Sequence, residues 1–260
     1  FVHVDLKSQI DRSVIAGNNV FLLPRENCVD VQWGRFSMVE ETLRLLDEIE
    51  RAEENFDFVW LMSGQDYPLH SAESIVRFIE QHENEDFIDI MSDEEAESGG
   101  FHKRSQLFYY PFMTDRTIFS KITRKIYWAV TGGKRKTLFL KRKSPIEKFS
   151  FGSQWWLLSG RTIETIRAFL KHNSWYTEFF KNALVPDECF FQTLYRMLIG
   201  VEHANPSVCF VNWQGRSNSP AVLTCQDVDR LKKLKCSYLT ARKVDFEVDA
   251  QIADWMIRLE

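Results

Sequence analysis

FDFVWLMSGQDYPLHS, residues 56–71, decides the fold class. Its opening, FDFVWLM (56–62), is too apolar for a surface hairpin and suits a strand in the middle of a parallel sheet. SGQDYPLHS then reads as a loop punctuated by Gly64 and Pro68. A helix is predicted from about Ala72 to Gln81, and DFIDIM (86–91) follows as another strand. Upstream, FVHVD (1–5) reads as a buried strand ending in a polar turn, and NVFLL (19–23) is a second short apolar run. Apolar residues recur at helical spacing from Ser37 to Glu54, with Ser37 as the cap. Strand and helix therefore alternate through the first hundred residues, which argues for an α/β sheet with helices on its faces. In such sheets ligands bind beyond the carboxyl ends of the strands. That rule points to the loops at Asp5, Ser63–Tyr67 and Ser92–Glu95.

Downstream, residues 101–150 read as irregular and basic. FGSQWWLLS (151–159) returns to strand, followed by helices at Arg161–Lys171 and from Pro186 to about Ile199. SVCFVNW is a strand, Asp227–Lys235 a helix, and a last helix starts near Val248. No repeat or low-complexity linker divides the 260 residues, so one domain spanning 1–260 is the simplest organisation.

Bulk properties narrow the function classes. A net charge of -4 argues against a polyanion binder, so no nucleic-acid partner is expected. The charge is uneven: Arg116 to Lys148 holds eleven Lys or Arg and one acid, Glu147. One reading of 116–148 is a solvated insertion; the other is peripheral membrane contact, because aromatics lie among the basic residues. The five cysteines form no CxxC spacing, and their odd number suits a reducing compartment. No apolar run reaches a membrane span and no signal peptide is read, so the expected location is cytoplasmic, peripheral at the inner face of a membrane. GxGxxG, P-loop, GxSxG and HExxH motifs are all missing, which removes the common dinucleotide, hydrolase and metalloprotease readings.

Five short segments carry candidate chemistry. PDE (186–188) opens a helix, where proline and acids are favoured on local grounds alone; its functional reading is a carboxylate, Glu188, placed to take a proton. SGQD (63–66) is either a turn or a backbone-rich loop over a diphosphate. GSQWW (152–156) is either a core strand or a place where a ligand approaches the backbone closely. Trp213, ending VNW, is either core or a platform for a sugar ring. Arg242 and Lys243 are either a solvated face or a fixed positive charge for a departing diphosphate. No metal-binding DxD stands at a clean strand end; Asp93-Glu94-Glu95 is the nearest, and it reads better as acidic surface.

Taken in order, FVHVDLKS, VQWGRFSMVEETLRLL, FDFVWLMSGQDYPLHS, FGSQWWLLS, VPDECFFQTL, FVNW, LTCQDVDRL and ARKVDFEVD resemble the core-2/I-branching β-1,6-N-acetylglucosaminyltransferase family, whose close relatives are peptide O-xylosyltransferases. The match runs from residue 1 to about 249 with a gap at 110–148, and the compact chain looks like a bacterial member. The resemblance implies a GT-A-type, Rossmann-like mixed sheet and a metal-independent, inverting transfer from a UDP-sugar co-substrate, without cofactor. The donor sugar it implies is N-acetylglucosamine first and xylose second. The acceptor is a glycan or lipid-linked saccharide.

Residue by residue, the resemblance makes Glu188 the catalytic base and sets Lys243, with Arg242 beside it, against the diphosphate. It places Asp5, Gln65 and Asp66 on the UDP side. Trp213, Lys103 and Arg104 fall toward the acceptor. The family's second diphosphate-binding Arg falls near Ser219–Pro220, where no basic residue stands, and Arg216 is the substitute candidate. The family's usual earlier YLI-type strand and His have no counterpart in the chain. A retaining glycosidase would need a second carboxylate about 5 Å from Glu188. A non-catalytic carbohydrate-binding protein would keep Trp213 and lose UDP affinity.

Overall fold

The computed structural model describes residues 1–52, 55–110, 117–130, 141–213 and 219–257. The chain forms two compact units, each built from separated stretches. Phe1–Asn55, Met91–Gln154 and Thr165–Ile199 make the first; Phe56–Ile90, Trp155–Glu164 and Gly200–Glu260 make the second.

The second unit carries two small mixed sheets. Its strands are β1 (Phe58–Trp60), β2 (Tyr67–Pro68), β3 (Asp86–Ile88), β4 (Trp156–Ser159), β5 (Ala204–Asn205), β6 (Cys209–Val211) and β7 (Thr240–Arg242). One sheet has the order β1-β4-β3-β5, and the other β2-β7-β6. In the first, β4 is antiparallel to both β1 and β3, while β5 is parallel to β3. In the second, β2 is antiparallel and β6 parallel to β7.

FDFVWLM thus does not sit mid-sheet between parallel neighbours. It contributes an edge strand whose described partner, β4, is antiparallel. The central position belongs to WLLS, which is buried along its whole length. The apolar character of β1 is used in packing: Phe58 and Trp60 lie against a core of Phe87, Leu157, Val208 and Leu239, joined by Ile75 and Phe78 of the helix Ala72–Gln81. Periodicity alone cannot separate these two uses of an apolar run.

Asp86 ties this sheet to the start of the helix Gly160–His172. Its two oxygens accept from the Ser159 amide at 2.7 Å and the Thr162 hydroxyl at 2.6 Å. Gly160 is required there, since a Cβ would come within 2.1 Å of the Phe56 carbonyl. The three-stranded sheet packs a second core of Leu69, Phe210, Leu223, Leu231, Ala241, Val244 and Ile252. The helices Val228–Leu234 and Gln251–Ile257 supply Leu231 and Ile252 to it.

The first unit is largely helical and aromatic. Phe36, Phe149, Phe151, Tyr176, Phe180 and Phe190 are all buried, which accounts for part of the high phenylalanine content. Tyr176 donates its hydroxyl to the Phe190 carbonyl at 2.7 Å, so its polar end is satisfied inside the core. The helix Ser37–Arg51 buries Val39, Thr42 and Leu46. Its predicted cap differs: Phe36 holds the N-cap position, and Ser37 instead accepts from the Gln32 amide at 2.8 Å.

Three expectations are corrected here. FVHVD contributes a single bridge, Val2 to Leu22, rather than a strand of either sheet; this short run finds no longer strand to pair with among the described residues. In FGSQWWLLS the strand begins only at Trp156. The basic stretch is not wholly irregular, for Ile118–Val130 is a helix with apolar residues every fourth position. All five cysteines are free thiols.

Candidate active site

In the first unit the site is built on a strained turn. VPDE places Pro186–Glu188 in one 3-10 turn ahead of the helix Phe190–Leu198. Val185 precedes it at φ +51, a left-handed conformation that a β-branched residue adopts only under constraint. The constraint is visible: the Val185 amide donates to the Gly34 carbonyl at 3.0 Å, and Gly34 itself has φ +74. The Gly152 amide donates to the Glu188 carbonyl at 3.0 Å, fixing the far side of the turn. One reading of GSQWW lets a ligand approach the backbone; what Gly152 is seen to engage is this turn.

The Glu188 side chain emerges about one-third exposed, at 34%. Arg104 Nη1 donates to its Oε2 at 2.5 Å, and Arg104 also lies over the Phe101 ring at 4.3 Å. The helix His102–Gln106 carries this arginine and, on its solvent side, Lys103. Arg104 is thus joined to the candidate base; Lys103 is exposed, with no contact to it shown.

Two further carboxyls surround this pair, and sequence reasoning missed both. Asp187 is buried and its Oδ1 has no hydrogen-bond partner. Burial pushes its pKa up to about 7, with the charges of Glu188 and Glu41 adding and Arg104 opposing. Glu41 is likewise pushed up to about 7, chiefly by burial and then by Asp5, against a hydrogen bond from Gln154. His3 faces Glu41 through Nδ1 at 3.7 Å. The Val29 amide donates to His3 Nε2 at 2.8 Å, which places the ring proton on Nδ1. Burial lowers the His3 pKa, so the ring is held neutral. Asp5 accepts from the Lys7 amide at 3.0 Å and pairs with its ammonium at 3.4 Å; Lys7 also reaches Asp30 at 2.9 Å.

In the second unit the candidates gather around a buried arginine. SGQD closes a turn in which Asp66 Oδ2 accepts from the Ser63 amide at 2.7 Å and the Gln65 amide donates to Ser63 Oγ at 3.1 Å. Arg242, at the end of β7, has its side chain 7% exposed. Its Nε stands 3.3 Å from Asp66 Oδ1, within ion-pair reach but not aligned as a hydrogen bond. Its Nη2 donates to Ser63 Oγ at 3.2 Å, and its guanidinium lies 4.0 Å over the Trp155 ring. Nη1 is buried without an acceptor. Burial raises the Asp66 pKa and lowers that of Arg242, each partly offset by the other's charge.

Lys243 follows, partly exposed, and donates to Ser219 Oγ at 3.3 Å. Burial and the charge of Arg242 lower its pKa. The Gln65 carbonyl accepts from the Val244 amide at 2.9 Å, which joins the SGQD turn to ARKV. Gln65, Asp66, Arg242 and Lys243 are therefore brought together by the structure.

The model of the Core-2/I-Branching enzyme family matches residues 1–233. The chain belongs to that family. Its members are glycosyltransferases, so the chemistry of this chain is transfer of a sugar from a donor to a glycan acceptor. No curated protein matches the chain at a significant level.

Other family-implied positions fare differently. Trp213 is half exposed just beyond β6, so it is not a core tryptophan, and it is available as a flat apolar surface. Its neighbour Asn212 is buried and accepts from Arg230 Nη1 at 3.2 Å, anchoring the strand end. Arg216 lies outside the described residues. Asp93 is engaged by Lys148 at 2.5 Å and Arg196 at 2.9 Å, and Glu95 closes a capping box with Ser92. Among the described residues no group of three or more His, Cys, Asp or Glu is arranged to hold a metal ion.

Proposed function

We propose that this family member is an inverting, metal-independent transferase that moves a sugar from a UDP-sugar to a hydroxyl of a glycan or lipid-linked saccharide. N-acetylglucosamine is the first choice of donor sugar and xylose the second. The reading takes the two units together as a single GT-A-type transferase domain.

The observation that carries it is the environment of Glu188. Of the carboxyls in its cluster, Asp187 is buried and Glu41 mostly so. Glu188 reaches solvent from a rigid turn with one oxygen held by Arg104. Glu188 Oε1 is left to accept the proton of an acceptor hydroxyl. That hydroxyl oxygen then bonds to the anomeric carbon as the bond from that carbon to the β-phosphate oxygen breaks. UDP leaves with the electron pair, and the configuration inverts. Arg104 orients the base.

Arg242 and Lys243 are assigned to the charge that develops on the diphosphate. Arg242 is pre-oriented by Asp66, Ser63 and Trp155, so little reorganisation accompanies the reaction. Its buried, unaccepted Nη1 is a donor that an anionic oxygen would satisfy. Asp5 and Gln65 are assigned to the nucleotide side, Arg216 to supplementary charge, and Trp213 and Lys103 to the acceptor.

The direct test is calorimetric titration with UDP, UDP-N-acetylglucosamine and UDP-xylose, followed by NMR of the product's anomeric configuration. Micromolar UDP binding and an inverted product support the reading. Glycan binding without UDP affinity replaces it with a non-catalytic lectin-like role.

A further inference from the structure

The helix Ile118–Val130, IFSKITRKIYWAV, has a face that nothing in the described structure covers. Ile118, Phe119, Ile122, Ile126 and Val130 are 77%, 77%, 52%, 59% and 81% exposed. Four of these are spaced by four residues. At about 100° per residue they span roughly 120° of the helix surface, and Phe119 falls within the same sector. The opposite side faces the first unit: Ser120 is buried, and Thr123, Arg124 and Tyr127 are partly so. The apolar sector therefore lies opposite the buried side of the helix.

Charge identifies what the sector suits. Lys121 and Lys125 are both exposed and lie along one border of the apolar face. The helix contains three basic residues and no acid, in a chain whose net charge is -4. An apolar stripe edged with lysines is the arrangement that lies in the plane of a bilayer interface. The apolar side chains enter the acyl boundary and the ammonium groups meet anionic headgroups. A second copy docked through the same helix would bring another set of basic residues and no acid to the contact, whereas anionic headgroups complement the lysine border. No described helix is long and apolar enough to cross a membrane, so contact would be peripheral.

We propose that Ile118–Val130 is an interfacial anchor that docks the protein on an anionic lipid surface, independently of the donor and acceptor assignments above. The experiment is co-sedimentation of the full chain with vesicles of phosphatidylcholine, alone and mixed with phosphatidylglycerol. Binding to the mixed vesicles that weakens as salt rises is expected, with little to phosphatidylcholine alone. I122E/I126E is expected to lower binding at least about tenfold. K121E/K125E should abolish the preference for phosphatidylglycerol. Unchanged thermal midpoints and UDP affinity in both variants would show that folding and donor binding are separate matters. Equal binding by the wild type and I122E/I126E overturns the proposal. So does failure of the wild type to bind mixed vesicles, or a lipid-free dimer that I122E/I126E converts to monomer.

Discussion

Glu188 in the first unit and Arg242 in the second are each held by one opposite charge, at 2.5 Å and 3.3 Å, yet burial treats them in opposite ways. The Glu188 side chain is 34% exposed and its surroundings are carboxyl-rich; the Arg242 side chain is 7% exposed, stacked on Trp155, and keeps one donor unsatisfied. A group that exchanges protons with a substrate must be reached by it. A group that stabilises charge electrostatically gains from being fixed and dry. Under the proposed function, the first unit supplies proton transfer and the second anion stabilisation, and each half can be challenged separately.

The largest effect is expected from Glu188→Gln. Loss of a general base lowers turnover by about a thousandfold or more, while UDP affinity measured by calorimetry stays within about twofold. If UDP binding is lost together with turnover, Glu188 is a structural residue of the turn and the contrast fails. Lys243→Ala probes the other half with little risk to folding, because the side chain is partly exposed. We expect UDP affinity to fall about ten- to a hundredfold, the size of one charge-assisted hydrogen bond. Arg242→Ala should cost more, but it also strands buried Asp66, so its thermal midpoint must be read alongside its affinity.

Trp213→Ala is expected to raise the acceptor KM on the order of tenfold and leave donor affinity unchanged. An unchanged acceptor KM would remove Trp213 from the site. The pH dependence of stability sharpens the carboxyl-rich side. Asp187 and Glu41 ionise near pH 7 when folded and near 4 when unfolded. The unfolded chain therefore releases their protons first. The stability associated with these two groups is full below about pH 4 and is lost as pH rises through about 7. Asp187→Asn abolishes one of these titrations, so its stability relative to wild type should improve between pH 5 and pH 8 by roughly 2–3 kcal/mol. Chemical denaturation at the two pH values checks this; a pH-independent difference would mean that Asp187 is ionised in the folded protein throughout.

The site was more legible in the sequence than the sheet was. SGQD and ARKV are 175 or more residues apart, and their joining through Val244, Ser63 and Asp66 was expected only through the family resemblance. Local chemistry located the PDE segment but not its form: a helix was expected from Pro186, whereas Pro186–Glu188 make a separate 3-10 turn and the helix starts at Phe190. The sheet was misread where an apolar run has two uses: FDFVWLM packs at an edge instead of pairing on both sides. Asp187 and Glu41 were missed because nothing in an acidic residue's immediate sequence reports burial. The available signals were indirect: Asp187 sits in a turn bounded by apolar residues, and Glu41 adjoins Thr42 on the buried side of its helix.

The smallest expected effect is that of chelation. EDTA should leave UDP affinity and turnover unchanged, which asks whether charge on the diphosphate is met by side chains instead of a metal ion. The acidic cluster that could have served a metal has other occupations. Asp93 is bound from two sides by Lys148 and Arg196, and its pKa is lowered by the hydrogen bond from Lys148. Glu95 accepts from the Ser92 amide and hydroxyl at 3.1 Å and 2.7 Å in the capping box. A divalent cation would have to displace an ammonium, a guanidinium and a helix cap to assemble ligands there. Turnover lost on chelation and restored by added metal would relocate the positive charge from Arg242 and Lys243 to a bound ion, and with it the reason for burying that arginine.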